Sequence, residues 1–353
     1  VVDARTTIVV SQRERYTPSL QFLEPILDAA GTTARVVVVD GGSPSPVREW
    51  LDDVAARRDL LLLRVDHALA PCEARAAALP FLTTEFTAFV DNDVTLSDGW
   101  LAQLEQTADA TGAWAVGPLY LHGYPTGSPD APRIHMAGGP CRVVEVEGRR
   151  RLDVDMALYD VPASDAAPSE RYPTDYLEYH CVLVRTDVVR GDGMHDDRLR
   201  TGHDMYDLAM KISAAGGESW LEPAATVYYD RPRELDGADR DFYILRWSRA
   251  WDAMTLDRFA EVWQLDPDDP DRPFTEHWHG FQRRLGHLPA PTWRERWQRR
   301  SRALADSTAE AHAVRWDRDR RRAAGATFEQ AAPARIVHAP AWSSASAEVA
   351  ATY

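Results

Sequence analysis

The sequence predicts an α/β protein: a doubly wound, mostly parallel, Rossmann-like sheet with an inserted antiparallel hairpin and a helical C-terminal appendage. Three observations carry this expectation. Apolar, often β-branched runs alternate with amphipathic segments through the first 117 residues, with short connections between them. Such alternation implies right-handed crossovers joining parallel strands. Beyond residue 140 the apolar period shortens to two, and beyond about 231 it becomes helical.

Residues 6–10 read as the first strand, and 17–30 as a helix with Leu20, Leu23, Ile26 and Leu27 on one face. Residues 34–39 form a nearly continuous β-branched run, as expected of a parallel strand covered on both faces, and Asp40-Gly-Gly-Ser43 ends it. The alternation continues with helix 47–58, strand 60–65, helix 72–82, strand 85–90, helix 99–110 and strand 114–117. Residues 142–147 and 150–156 alternate apolar and polar side chains around Gly148, the pattern of an antiparallel hairpin. The stretch 159–173, rich in Pro, Ala, Ser and Asp, reads as a loop. Strand 176–185, helix 203–215 ended by Gly216-Gly217, and strand 218–229 follow. Trp247, Trp251, Trp263, Trp278, Trp293 and Trp297 punctuate the helical remainder, with a Pro/Asp linker at 264–273 and an Arg-dominated run at 294–322. A flexible tail is expected at the C-terminus, over residues 336–353.

Composition narrows the function classes. The 353 residues, 44% hydrophobic with twelve Trp, suffice for one large domain with an appendage or for two domains. A net charge of −15 opposes broad contact with nucleic acid, whose phosphates would be repelled. No apolar stretch approaches the roughly 20 residues of a membrane span, and Val1-Val-Asp-Ala-Arg5 lacks a signal-peptide pattern. Cys72, Cys141 and Cys181 are odd in number and far apart, neither a disulfide framework nor a zinc spacing, so a cytoplasmic location is the expectation.

The most informative segment is Asp91-Asn92-Asp93, which ends the apolar run Phe86-Thr-Ala-Phe-Val90 and precedes Ser97-Asp-Gly-Trp100. It places two carboxylates at the C-terminal tip of a buried strand, where open α/β sheets bind ligands. Two acids one residue apart suit a hard divalent cation and a diphosphate that the cation neutralises.

Four segments together resemble the nucleotide-sugar-dependent glycosyltransferases of the GT-A fold, specifically the inverting family 2 type. They are Ile8-Val-Val-Ser-Gln-Arg-Glu-Arg15, Val36-Val-Val-Val-Asp-Gly-Gly-Ser43, Asp91-Asn92-Asp93, and Gly202-His-Asp-Met-Tyr-Asp-Leu208 with Pro223-Ala-Ala-Thr-Val-Tyr-Tyr229. The resemblance spans about residues 6–229. It implies a GT-A domain over 1–230, with a nucleotide-sugar-binding half at 1–117 and an acceptor-binding half with the insertion at 118–230, followed by a helical region at 231–335. It further implies a metal-dependent, inverting hexosyltransferase that uses a UDP-, GDP- or dTDP-sugar and a hydroxyl acceptor.

Site roles follow from that resemblance. Asp93 and Asp91 would hold Mn²⁺ or Mg²⁺, and Asp204 would be the base that takes the acceptor proton. Ser11, Gln12 and Arg13 would line the nucleotide pocket, Asp40 would accept from the base, and Arg75, Asp91 and Asn92 would reach the donor. Tyr179, His180 and His203 are expected on the acceptor side. Two departures stand out: His203 replaces the usual acid before Asp204, and Tyr229 stands where a metal-closing histidine is common, for which His180, His195 or His203 could substitute.

Each residue has a plainer alternative. Asp40 before Gly-Gly-Ser could be turn chemistry, Asp204 a helix N-terminal carboxylate, and Arg75 an ion-pair partner. The C-terminal helices could form a dimer surface, a lid or a peripheral membrane contact. They could equally be an appendage with core tryptophans and arginines paired to the acids that interrupt the basic run. A non-catalytic binding or assembly subunit is the alternative function. A sugar-phosphate nucleotidyltransferase is disfavoured, because Ser11-Gln-Arg-Glu-Arg15 contains no glycine.

Overall fold

The computed structural model describes residues 4–30, 33–123, 132–229, 235, 237–285 and 295–343, with side chains from 306 onward in the last stretch. Four runs buried on both faces form its centre: β1 (Thr6–Ser11), β2 (Ala34–Gly41), β3 (Leu60–Val65) and β4 (Phe86–Asp91). They pair in parallel in the order β3-β2-β1-β4. Helices α1 (Ser19–Ala30), α2 (Ser45–Arg57) and α3 (Pro71–Ala78) are the crossovers, each burying one apolar face, as Phe22, Leu23, Ile26 and Leu27 do in α1.

After the short β5 (Val94–Leu96) and α4 (Trp100–Thr111) comes β6 (Ala115–His122). It does not pair with β4, because β11 (Cys181–Arg185) lies antiparallel between the two. Strand β12 (Ser219–Tyr229) restores the parallel direction beside β6, with a register shift across 222–226 at Pro223, which cannot donate to the ladder. The fold is the expected α/β, GT-A-type one, with six main strands running one way and β11 running against them. Strands β7 (Arg133–Met136) and β10 (Tyr172–Thr174) extend the sheet from β6 and β12.

The hairpin forms as expected from β8 (Cys141–Val146) and β9 (Arg149–Val154). Its turn residues Glu147 and Gly148 have φ of 53° and 74°, the two positive angles that match the twist of a two-residue hairpin. Leu152 is buried in the hairpin, and its N–H donates to Asp269 at 2.8 Å, docking the insertion on the C-terminal region. Short helices α5 (Ala163–Ala166) and α6 (Thr186–Val189) precede α7 (Asp204–Ala214).

Helices α8 (Gly237–Arg246), α9 (Arg249–Trp263), α10 (Asp271–Leu285) and α11 (Glu295–Ala323) complete the chain's helical part. Trp247 and Trp251 are buried, whereas Trp293 and the Trp297 side chain lie outside the described residues. Arg321 of α11 reaches Glu73 of α3 at 2.8 Å and 3.0 Å, and Arg200 reaches the same carboxylate at 2.7 Å. No helix among the described residues is long and apolar enough to cross a membrane.

Two expectations need correction. Residues 176–180 are not strand: the ladder begins at Cys181, because the Tyr120 hydroxyl takes the Glu178 N–H at 3.1 Å and pulls that segment off the sheet. The first residues of the expected flexible tail, 336–338, instead lie in β13 (Arg335–His338), paired antiparallel to β3 at the sheet edge. A buried leucine strand left with an open edge would be an association hazard, and β13 covers it. Residues 344–353 lie outside the described part.

Candidate active site

Register places the central groups. Ser11 pairs opposite Asp91, and Cys181 opposite Val90, so the C-terminal ends of β1 and β4 meet the N-terminal end of the reversed β11. His180, just before β11, therefore lies beside Asp91, whose N–H donates to the His180 carbonyl at 3.2 Å. The His180 Nδ1 is 3.0 Å from Asp91 Oδ2, and its Nε2 is 3.3 Å from Glu178 Oε2. Glu178 is also 2.8 Å from His135 Nε2 on β7.

Both acids of the Asp-x-Asp pair are buried. Asp91 faces Arg13 Nε at 3.6 Å, and Asp93 faces Arg15 at 3.2 Å. Burial pushes Asp91 up to about 7, against Arg13 and Arg75, and pushes Asp93 up to about 6, against Arg15 and Arg13. Asp93 Oδ1 is buried without a hydrogen-bond partner. The pair is thus short of positive charge, the condition a divalent cation relieves. Burial and then Arg13 push His180 down to about 3, leaving a neutral ring able to ligate. Burial opposes the charge on Glu178, but His135 and His180 outweigh it and hold that carboxyl at about 2. Two groups of side chains place ligand atoms within 4.8 Å of one another: Asp91, Asp93 and His180, and His135, Glu178 and His180. The residues present fit a divalent cation.

Other expected residues divide. Asp204 opens α7 and accepts a charge-assisted hydrogen bond from Arg75, whose guanidinium carbon lies 3.7 Å from the centre of the Tyr179 ring. Although burial opposes its charge, Asp204 first, then Tyr179 and Asp91, raise the pKa of Arg75 above its usual range. Arg75 is thus bonded to the α7 acid and also feels the charge of Asp91. Gln12 joins the tips of β1 and β2: it accepts from Gly41 N–H at 2.8 Å and donates to Ser43 Oγ at 2.8 Å and Asp40 at 3.2 Å.

Asp40 itself is fully buried and also accepts from Ser43 N–H at 3.0 Å and Arg64 Nε at 2.5 Å. Its carboxylate builds the turn that Gly42 makes with φ 74°, where a Cβ would come within 2.9 Å of the His67 backbone. Asn92 is likewise spent on structure, bonding Arg13 N–H at 3.3 Å, Arg15 C=O at 2.9 Å and Ser19 Oγ at 3.0 Å. His203 turns to Asp271 of α10 at 2.9 Å, and His195 to the Cys72 carbonyl at 2.9 Å, so of the three candidate histidines only His180 meets the acids.

Several residues of the site were not singled out in the sequence. Glu14 accepts from Tyr229 OH at 3.1 Å and from Trp247 Nε1 at 3.1 Å, which ties the 12–16 loop to β12 and to the end of the α8 segment. Asp239 of α8 accepts from Tyr16 N–H at 2.7 Å and Thr17 N–H at 3.2 Å. Helix α8 and Trp247 thereby form a wall behind the β1 loop. Glu178, His135 and Arg64 shared one legible signal: a charged or titratable residue inside an otherwise apolar run, which needs a buried partner.

Comparison with known proteins agrees with this fold. The model of glycosyl transferase family 2 matches residues 7–187. The chain is 32% identical over 204 residues to the pre-mycofactocin glycosyltransferase of Mycobacterium tuberculosis, covering 57% of this chain and 38% of that protein. It is 36% identical over 107 residues to the succinoglycan biosynthesis protein ExoM of Rhizobium meliloti, covering 30% of this chain and 33% of that one. The chain thus spans well under half the length of these relatives. In three dimensions it is similar to GalNAc-T7 solved with UDP, GalNAc and Mn²⁺, at a TM-score of 0.50 and 14% identity over 78% of this chain and 54% of that one, a likeness of fold.

Proposed function

This chain belongs to glycosyl transferase family 2, and we propose that it moves a hexose from a nucleoside-diphosphate sugar to an acceptor hydroxyl by direct, inverting displacement. The observation that supports this most is Arg75, a buried guanidinium bonded to Asp204 and also under the field of Asp91. An acid at the start of α7 and an acid of the Asp-x-Asp pair thus act on one charge.

Asp204 would accept the proton of the incoming hydroxyl, held in place by Arg75 and by the positive N-terminal end of α7. Arg13 and Arg15, at the mouth of β1, would offset the charge of the diphosphate. Asp93 and Asp91 would hold Mn²⁺ or Mg²⁺, which when bound stabilises the charge that develops on the leaving diphosphate. Gln12, Ser11 and the Asp40 turn would shape the wall of the nucleotide pocket. Attack opposite the leaving group would invert the anomeric centre. The fold's likeness to an enzyme solved with UDP and Mn²⁺ is consistent with a diphosphate donor.

The test is a thermal-shift screen of UDP, GDP and dTDP and their sugars with Mn²⁺, followed by assay of donor turnover with Asp204→Asn. Stabilisation by one diphosphate family, and turnover lost in that variant with its circular dichroism spectrum retained, is the expected result. Binding with no turnover on any donor would support an assembly subunit instead.

A further inference from the structure

We propose that His180 Nδ1 is a third protein ligand for the divalent cation held by Asp91 and Asp93, and that Glu178 and His135 fix its ring for that task. This rests on the metal-dependent reading above and adds a ligand, its support, and a reason for the insertion that carries His135.

Two buried groups with unused hydrogen-bonding capacity converge. His180 Nδ1 lies 3.0 Å from Asp91 Oδ2 yet makes no hydrogen bond, and Asp93 Oδ1 has no partner either. Both residues are buried, His180 at 3% and Asp93 at 0% exposure, away from bulk solvent. Leaving acceptors unsatisfied in a core is costly, and a cation in reach of all three side chains removes that cost. Their ligand atoms lie within 4.8 Å of one another.

The other ring nitrogen supplies the independent argument. His180 Nε2 sits 3.3 Å from Glu178 Oε2. A metal-ligating histidine characteristically gives its second N–H to a carboxylate, which fixes the tautomer and the ring plane. Glu178 stands within ion-pair reach of Nε2, and a proton on Nε2 leaves the Nδ1 lone pair facing the two acids. His135 Nε2 holds Glu178 from β7 at 2.8 Å, so the strand that leads into the hairpin insertion is wired to the metal site. Tyr229 completes the support: its ring stacks on His180 at 4.5 Å between centroids, while its hydroxyl is committed to Glu14. Tyrosine at this place packs against the ligand instead of being one. An imidazole nitrogen in the set favours Mn²⁺ over Mg²⁺ relative to an all-oxygen site.

Pulsed EPR on the full chain loaded with Mn²⁺, alone and with UDP, GDP or dTDP, reads this directly. The wild type is expected to show coupling from a directly bound ¹⁴N, and His180→Ala or His180→Gln to lose that coupling while still binding Mn²⁺ more weakly. Glu178→Gln should weaken Mn²⁺ binding about 10- to 100-fold and keep the coupling. Bound Mn²⁺ without nitrogen coupling, or coupling that survives His180→Ala, overturns the ligand assignment; unchanged affinity in Glu178→Gln overturns the positioning role. Asp93→Ala separates the two readings. If it loses Mn²⁺ while His180→Ala binds as wild type, only the histidine falls. If wild type binds no Mn²⁺ under any of these conditions, or Asp93→Ala binds as tightly as wild type, the metal-dependent reading falls with it.

Discussion

Arg75 of α3 donates to the carboxylate of Asp204 in the first turn of α7, joining two elements 129 residues apart in the chain. Both side chains are buried, and Tyr179 closes the back of the guanidinium. Asparagine at 204 keeps the shape and a carbonyl oxygen for Arg75 but cannot take a proton. Asp204→Asn is therefore expected to lower donor turnover by about 10²–10⁴, the usual worth of a general base, with the chain still folded but less stable, because Arg75 loses its charged partner. Near-wild-type turnover in that variant would remove Asp204 from the chemistry.

Metal removal should be visible without turnover. A cognate nucleoside diphosphate at about 100 times its dissociation constant stabilises the native state by about 2.7 kcal/mol. Calorimetry is expected to show that gain with Mn²⁺ and to lose it with EDTA or in Asp93→Ala. A gain that is indifferent to EDTA would mean that the arginines alone hold the diphosphate.

The junction between α3 and α11 is a buried ionic cluster. Glu73 is shared by Arg200 and Arg321, and Arg321 also meets Asp317 at 2.9 Å and 3.1 Å. Removing Arg321 leaves Asp317 buried without its partner and Glu73 with Arg200 alone. Arg321→Met is expected to destabilise the chain by about 3–5 kcal/mol in urea titration. A loss below about 1 kcal/mol would show that the helix docks without this cluster.

His67 links the β3 loop to the C-terminal segment. Its Nδ1 lies 2.8 Å from the Ala68 carbonyl, and its Nε2 takes the Ala332 N–H at 3.0 Å, so the ring must be neutral. Burial, then Arg321, lower its pKa from 6.5 to about 4. Between those values the unfolded chain binds a proton that the folded chain does not. This group's contribution is thus steady above about pH 6.5 and diminishes as pH falls toward 4. The melting temperature should drop between pH 7 and pH 5 by less in His67→Gln than in wild type; equal drops would dismiss the link.

Strand β13 covers the edge of β3, whose Leu61, Leu62 and Leu63 are buried. A chain ending at Ala332 exposes that edge and is expected to associate at micromolar concentration by light scattering. A monodisperse truncated chain would mean that the edge is protected by other means.

The sequence alone determined the alternation of the first four strands and their helices, because the apolar runs at 36–39 and 60–63 have no polar face and suit burial on both sides of a parallel sheet. It also located the Asp91 and Asp93 pair, since two acids at the end of such a run interrupt a pattern that burial would otherwise forbid. Tertiary structure alone decided what those acids meet. Periodicity is blind to strand direction, and only the reversed insertion of β11 between β4 and β6 carries His180 back to Asp91, 89 residues earlier in the chain. The same holds for Asp40 and Asn92, whose residue types suit either a ligand or a turn. Their partners Arg64 and Ser19 come from separate elements, so pairing in space, and not local preference, decided which groups each carboxylate or amide meets within the fold.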